Sequence, residues 1–115
     1  MIEEKKAPES YSFTMEDGGT FSGVDKKLHS VDDQPAVVYA NGTKWWYKNG
    51  KVHRDGNKPA VIWENGTMEW FIDGMRHRTD GGPTVVYGEG AHPMLRGHSE
   101  WHVLHKLVRK THNMG

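Results

Sequence analysis

Asn41-Gly42-Thr43 returns as Asn65-Gly66-Thr67, 24 residues further on. The same interval of 24 relates Trp46 to Trp70, Asn49-Gly50 to Asp73-Gly74, and Pro35 to Pro59 and Pro83. His29, His53 and His77 follow it too. Many residue types agreeing at one spacing identify a repeat. A repeat restricts the fold to stacked copies of one supersecondary unit. Backwards the frame is fainter: Asp17-Gly18 aligns with Asn41-Gly42, Phe21 with Trp45, and "KKLH" with "GKVH". Forwards it restarts at "GGPTVVY" and breaks at "GEGAHPMLRGH".

Each unit reads as a hairpin. "PAVVYANGTKWWY" sets Asn41-Gly42 between two runs rich in β-branched and aromatic residues. Asn-Gly supplies both central positions of a type I′ turn, so a two-residue turn is predicted there and at Asn65-Gly66. Asn49-Gly50 and Asp73-Gly74 are further turn signals. A link containing glycine then leads to the proline of the next unit.

With two-residue turns, Glu64 faces Thr67, Trp63 faces Met68 and Val61 faces Trp70. Val61, Trp63, Met68 and Trp70 then share one face, with Val37, Tyr39 and Trp46 from the preceding unit. That face is the expected core. Val38, Trp45, Tyr47, Ile62 and Glu69 take the other, mixed face.

The tail "SEWHVLHKLVRKTH" fits two shapes. Trp101, Leu104, Leu107 and Val108 lie on one helical stripe behind a Ser99 N-cap. In the repeat frame, Trp101 instead replaces Trp70 after a seven-residue insertion and continues the strands. The helix is preferred. The expected fold is therefore mainly β, an antiparallel β-meander of repeated hairpins with a short C-terminal helix. Residues 1–12 are expected to be a disordered tail, 13–93 the hairpin domain and 94–115 a capping segment.

Composition narrows the function. The 115 residues suit one domain with a modest core. Without cysteine there is no thiolate nucleophile and no Cys-type metal site. Fifteen Lys and Arg balance fifteen Asp and Glu, which argues against a broad nucleic-acid surface and against an acidic mimic of DNA. No apolar run approaches bilayer length, and "MIEEKKAPES" is not signal-like. A soluble, cytoplasmic protein is expected.

The segments "PAVVYANGTKWWYKNGKVHRDG" and "PAVIWENGTMEWFIDGMRHRTDG" resemble the MORN repeat and its variants in bacterial, phage and large-virus proteins. The match covers about residues 28–87. The resemblance implies hairpins side by side in an elongated, twisted sheet, and a binding or scaffolding role. It carries over turn and core positions: Gly42, Gly50, Gly66 and Gly74, Trp46, Tyr47, Trp70 and Phe71, and Pro35, Pro59 and Pro83. It brings no catalytic residue and no cofactor. The small size and solitary repeat block look like an accessory phage protein, which implies a viral protein acting on a host factor in the host cytoplasm.

Four groups of residues invite a chemical reading. His29, His53 and His77 would stand in a line one unit apart, about 10 Å, which is too far for one ion to bridge. Each is expected to fix its corner through loop backbone, Asp55 or Asp80. "HRDG" has no nucleotide loop or metal-binding aspartate for kinase-like work. Arg54 and Arg78 are expected to pair with acids of neighbouring units.

His98, His102 and His105 would share one face of a tail helix, as weak metal candidates. The last group is the aromatic pairs. Trp45, Tyr47 and Phe71 are candidates for exposed partner contacts beside Arg54, Arg76 and Arg78, since aromatic and arginine side chains dominate interface hot spots.

The leading reading is a non-catalytic protein-interaction module presenting this aromatic-basic face. The alternatives are a small protein that binds single-stranded nucleic acid and a His-based, metal-dependent hydrolase or nuclease. No membrane partner is expected, and an open sheet edge allows a homodimer.

Overall fold

The computed structural model describes residues 9–103 and 106–111. Its main sheet begins with strands β1 (Ser10–Thr14), β2 (Thr20–Val24) and β3 (Lys27–Leu28). The first full repeat supplies β4 (Val37–Val38), β5 (Lys44–Trp45), β6 (Tyr47–Lys48) and β7 (Lys51–Val52). The second supplies β8 (Val61–Ile62), β9 (Met68–Glu69), β10 (Phe71–Ile72) and β11 (Met75–Arg76). Then come β12 (Val85–Val86), β13 (Ser99–Val103) and β14 (Lys106–Thr111). The sheet runs β1-β2-β4-β5-β8-β9-β12-β13-β14, with β3 beside β2, and every pairing is antiparallel. The repeated-hairpin meander expected from the sequence is present.

The two Asn-Gly signals make different turns. Asn49-Gly50 and Asp73-Gly74 have positive φ at both residues (50° and 82°, 48° and 82°), which is the type I′ geometry. At Asn65-Gly66 only the glycine is left-handed (φ 88°). Gly66 N–H bonds to Trp63 C=O and Trp63 N–H to Thr67 C=O. This is a type I turn closed by a glycine bulge, a three-residue loop. Gly42 repeats it with Tyr39 and Thr43.

The extra loop residue shifts the register by one and flips the second strand. Val61 therefore faces Glu69, and Ile62 faces Met68. The sequence-based faces are corrected accordingly. One continuous row crosses the sheet as Phe13, Phe21, Val37, Trp45, Val61, Glu69, Val85 and Glu100. Trp63, expected in the core, is 37% exposed, and Tyr39 is 46% exposed.

After β5 and β9 the ladder breaks at Trp46 and Trp70. Each second arm folds into its own two-stranded ribbon, β6-β7 or β10-β11. Both tryptophans are buried, their backbone N–H groups bonded to Ala60 and Thr84 C=O. The core is thus Trp46, Ala60, Val61 and Phe71, with Trp45, Val52 and Ile62 against it. The radius of gyration is 16.7 Å, where a compact chain of this length has about 13 Å. The extents are 68 × 33 × 18 Å.

The tail overturns the helix expected over 94–115. Ser99–Val103 and Lys106–Thr111 are paired strands. The alternative repeat frame explains why: Glu69-Trp70 and Glu100-Trp101 are equivalent, and Val85 pairs with both glutamates. The tail's tertiary partner overrode a helical pattern that local sequence also allowed. At the other end β1 starts at Ser10, inside the stretch expected to be a tail; residues 1–8 lie outside the described residues.

Candidate interaction face

The repeated polar residues fasten one unit to the next. His29 Nδ1 accepts from Asn49 N–H (3.1 Å) and His53 Nδ1 from Asp73 N–H (3.0 Å). His53 also lies 2.7 Å from Asp55 Oδ1 through Nε2, which draws the Asp55 carboxyl below its ordinary range. Thr43 Oγ1 accepts from Glu64 N–H and Thr67 Oγ1 from Gly88 N–H. Asn41 and Asn65 close their own turns onto Thr43 and Thr67 N–H. Every part of the Asn-Gly-Thr signature therefore has a structural task.

The corners are clasps. Arg54 lies 3.9 Å over the Trp46 ring and Arg78 lies 4.2 Å over Trp70. Their Nη1 atoms donate to Pro59 and Pro83 C=O, and the indoles donate to Asp33 and Asn57 C=O. Arg54 grips the Asp33 carboxylate with two nitrogens (2.9 and 3.1 Å), and Lys58 adds a third contact. The Arg54 bond, then that of Lys58, holds the Asp33 carboxyl far below the usual range. Position 57 is Asn, so Arg78 pairs with Asp80 of its own loop instead. An open cleft of about 400 Å³ beside Trp46 is lined by this clasp, including Asp33, His53, Arg54 and Asp55.

The six residues expected to form one partner surface are thus split. Arg54 and Arg78 are engaged in clasps. Phe71 is buried in the core rather than exposed, with the Arg76 guanidinium 5.4 Å from its ring centre. Trp45 and Tyr47 remain half-buried on the sheet face, stacked at 6.3 Å. Burial pushes the Tyr47 hydroxyl up from its ordinary pKa. Trp63 meets Trp45 edge-on at 5.7 Å. Trp45 Nε1 is buried and has no hydrogen-bond acceptor among the described residues.

Beside this aromatic cluster the repeat changes character. Glu69 occupies the position of Phe21 and Trp45, and Arg76 that of Val52. Glu69 is only 7% exposed. Its Oε2 accepts from Trp63 Nε1 (2.7 Å), and its Oε1 from Arg76 Nε and Nη2 (3.0 and 2.9 Å). Across Val85, Tyr87 donates to Glu100 Oε2 (3.0 Å). Burial, followed by this bond, pushes the Tyr87 pKa up to about 12. Trp63, Glu69, Arg76, Tyr87 and Glu100 line an open cleft of about 290 Å³ beside the 88–97 loop. Sequence reasoning placed Trp63 in the core and Glu69 on the mixed face, and gave Tyr87 and Glu100 no role in a site. The available signal was their departure from the repeat, or its aromatic continuation at 39, 63 and 87.

The tail histidines do not share a helix face. His102 Nδ1 is 2.7 Å from Thr84 Oγ1 and its Nε2 is 3.9 Å from Glu100. His98 is four residues away in extended chain, roughly 13 Å. His105 lies outside the described residues. Among the described residues, no group of three or more His, Asp or Glu is placed to hold a metal ion, and no helix is long and apolar enough to cross a membrane. The face is chemically suited to contact: aromatic surface bordered by a satisfied ion pair. No family model, curated protein or solved structure matches the chain.

Proposed function

We propose that the chain is a non-catalytic protein-interaction module whose partner docks on the face of Trp45, Tyr47 and Trp63. The observation that carries this reading is the aromatic cluster itself: Trp63 is 37% exposed and meets Trp45 edge-on, and Tyr47 stacks on Trp45. Exposed aromatic surface next to a guanidinium is also the composition of interface anchors. Arg76 and Glu69 border it, giving a partner both an apolar seat and charged register marks. A MORN-like repeat fits such a scaffold role.

The carboxylates of Glu69 and Glu100 on the same face disfavour a phosphodiester backbone, so a single-stranded nucleic acid is the weaker reading. The test compares proteins captured from a host extract by the wild-type chain and by Trp63→Ala and Tyr47→Ala. A partner lost in both variants, and shifting the Trp45 indole NMR signal when added back, supports the proposal. Equal retention by all three chains, or shifts confined to the corner clasps, overturns it. An oligonucleotide titrated at low salt should leave the indole signals in place.

A further inference from the structure

The two outer strands of the sheet differ. β14 carries Lys106, Arg109 and Lys110, and a bulge interrupts its pairing with β13. Charges and bulges are the devices that keep an edge from pairing. β1, with the sequence SYSFT, has no charge, no proline and no bulge across its five residues. Among the described residues, its only neighbour in the sheet is β2.

The outward groups of β1 can be assigned. Glu9 C=O accepts from Asp25 N–H, and Met15 N–H donates to Gly19 C=O, so the odd residues bond inward. Backbone direction alternates along an antiparallel strand. Ser10, Ser12 and Thr14 therefore turn their N–H and C=O groups away from the sheet. On the face shared by the odd residues, Tyr11, Phe13 and Phe21 form a cluster, with Phe13 stacked on Phe21 at 5.2 Å. Phe13 is nevertheless 57% exposed. An open groove of about 640 Å³ runs beside it, lined by Ser10, Tyr11, Phe13 and the Glu9, Asp25 and Lys26 side chains.

We propose that two copies of this chain pair antiparallel through β1, about a two-fold axis at Ser12. The strand is complementary to itself in that register. Ser12 lies opposite Ser12 of the partner, and Ser10 opposite the partner's Thr14, so every outward N–H and C=O of β1 finds a mate. The same register sets Phe13 opposite the partner's Tyr11, at a non-hydrogen-bonded position where side chains approach most closely. Tyr11 already leans inward over Gly23, whose hypothetical Cβ would lie 2.4 Å from its hydroxyl. That inward lean leaves the groove to the arriving Phe13. A two-fold contact through β14 would instead bring its like charges together. The axis through β1 joins the two sheets on one continuous face and closes the assembly at two copies.

Molar mass across a dilution series tests this, using light scattering on the full chain. The wild type should show twice 13.1 kDa and dissociate on dilution. Ser12→Lys places two cations at the axis on an exposed side chain, and Ser12→Pro removes an outward donor without touching the bonds to β2. Both variants should be monomers with an unchanged circular dichroism spectrum. Mixed-label NMR of the wild type should show Phe13–Tyr11 contacts between copies. A wild type of 13.1 kDa at every concentration overturns the proposal. A dimer that survives both substitutions places the interface elsewhere and overturns it too.

Discussion

The imidazole of His53 reaches 20 residues ahead and accepts the backbone N–H of Asp73 at the tip of the next hairpin. Because Nδ1 accepts, the ring proton sits on Nε2, where Asp55 receives it. One neutral tautomer therefore joins two units. His29 makes the same bond to Asn49. An elongated chain with so small a buried apolar cluster has little apolar burial per residue. Polar fasteners between successive hairpins then carry weight that a thicker core would otherwise supply.

Replacing His53 by Ala should remove a buried acceptor and strand the Asp73 N–H. The expected loss is about 1–3 kcal/mol in denaturant unfolding. His29→Ala should cost less, since His29 is only half-buried. Equal losses at the two sites would show that burial does not set the strength of this bond.

Gly88→Ala should be more damaging than its surface position indicates. An added Cβ would lie 2.3 Å from the Gly66 carbonyl carbon and 2.5 Å from the Asn65 oxygen. Backbone cannot yield as a side chain does, so the hairpin tip must move and the Thr67 bond to Gly88 N–H must lengthen. A loss of about 2–3 kcal/mol is expected. Gly42→Ala meets open space and pays only for its left-handed backbone, about 1 kcal/mol. Thermal melts of the two variants rank them directly.

The repeat period, the hairpins and the corner role of the histidines were legible because many residues vote for them at one spacing. The faces were not. Asn-Gly fits both a two-residue turn and a glycine-bulge loop, and the one-residue difference reverses a strand. The Trp63–Thr67 bond and the single left-handed residue, Gly66, decide between them. Trp45 and Glu69 were therefore assigned a mixed outer face when they share the row of Val37, Val61 and Val85. The tail was misread for a related reason. Its helical stripe is real as a pattern, but the unpaired edge of β12 offers the segment a ladder that an isolated sequence does not reveal. The candidate face was half legible: aromatic residues could be named, while their burial depended on where the chain bends at Trp46 and Trp70.

Alkaline pH should weaken the fold through Tyr87. Its folded pKa is raised from 10.0 to about 12. A raised acid pKa means that the neutral form is favoured in the folded state. Its contribution is complete below the unfolded value and is lost as pH rises through the folded one. Stability should fall between about pH 10 and 12. Tyr87→Phe should flatten that decline in urea melts across the same range.

At the acid end the Arg54–Asp33 clasp acts with the opposite sign. A depressed carboxylate pKa stabilises fully above the unfolded value and fades as pH falls below it. Asp33→Asn should lose little at neutral pH, at most about 1 kcal/mol because the pair is solvent-accessible. It should show a shallower loss of stability below the unfolded carboxylate range. An unaltered acid limb in the variant would show that the clasp does not titrate with folding.

The Glu69–Arg76 pair allows a sharper test, because the repeat itself supplies the control. The preceding unit has Trp45 and Val52 at these positions, so the two sites differ together between neighbouring units. Removing Arg76 alone leaves Glu69 buried with only the Trp63 indole, and Arg76→Val should cost about 2–4 kcal/mol. The double variant Glu69→Trp with Arg76→Val rebuilds the apolar arrangement of the earlier unit. Replacing a buried ion pair by well-packed apolar residues is often neutral or stabilising. The double variant should therefore recover most of the loss in denaturant unfolding. If it recovers stability but loses the captured partner, the ion pair serves recognition and not the fold. If it stays as unstable as Arg76→Val, the pair is a structural requirement of the second unit, and the face must be read from Trp45 and Trp63 alone.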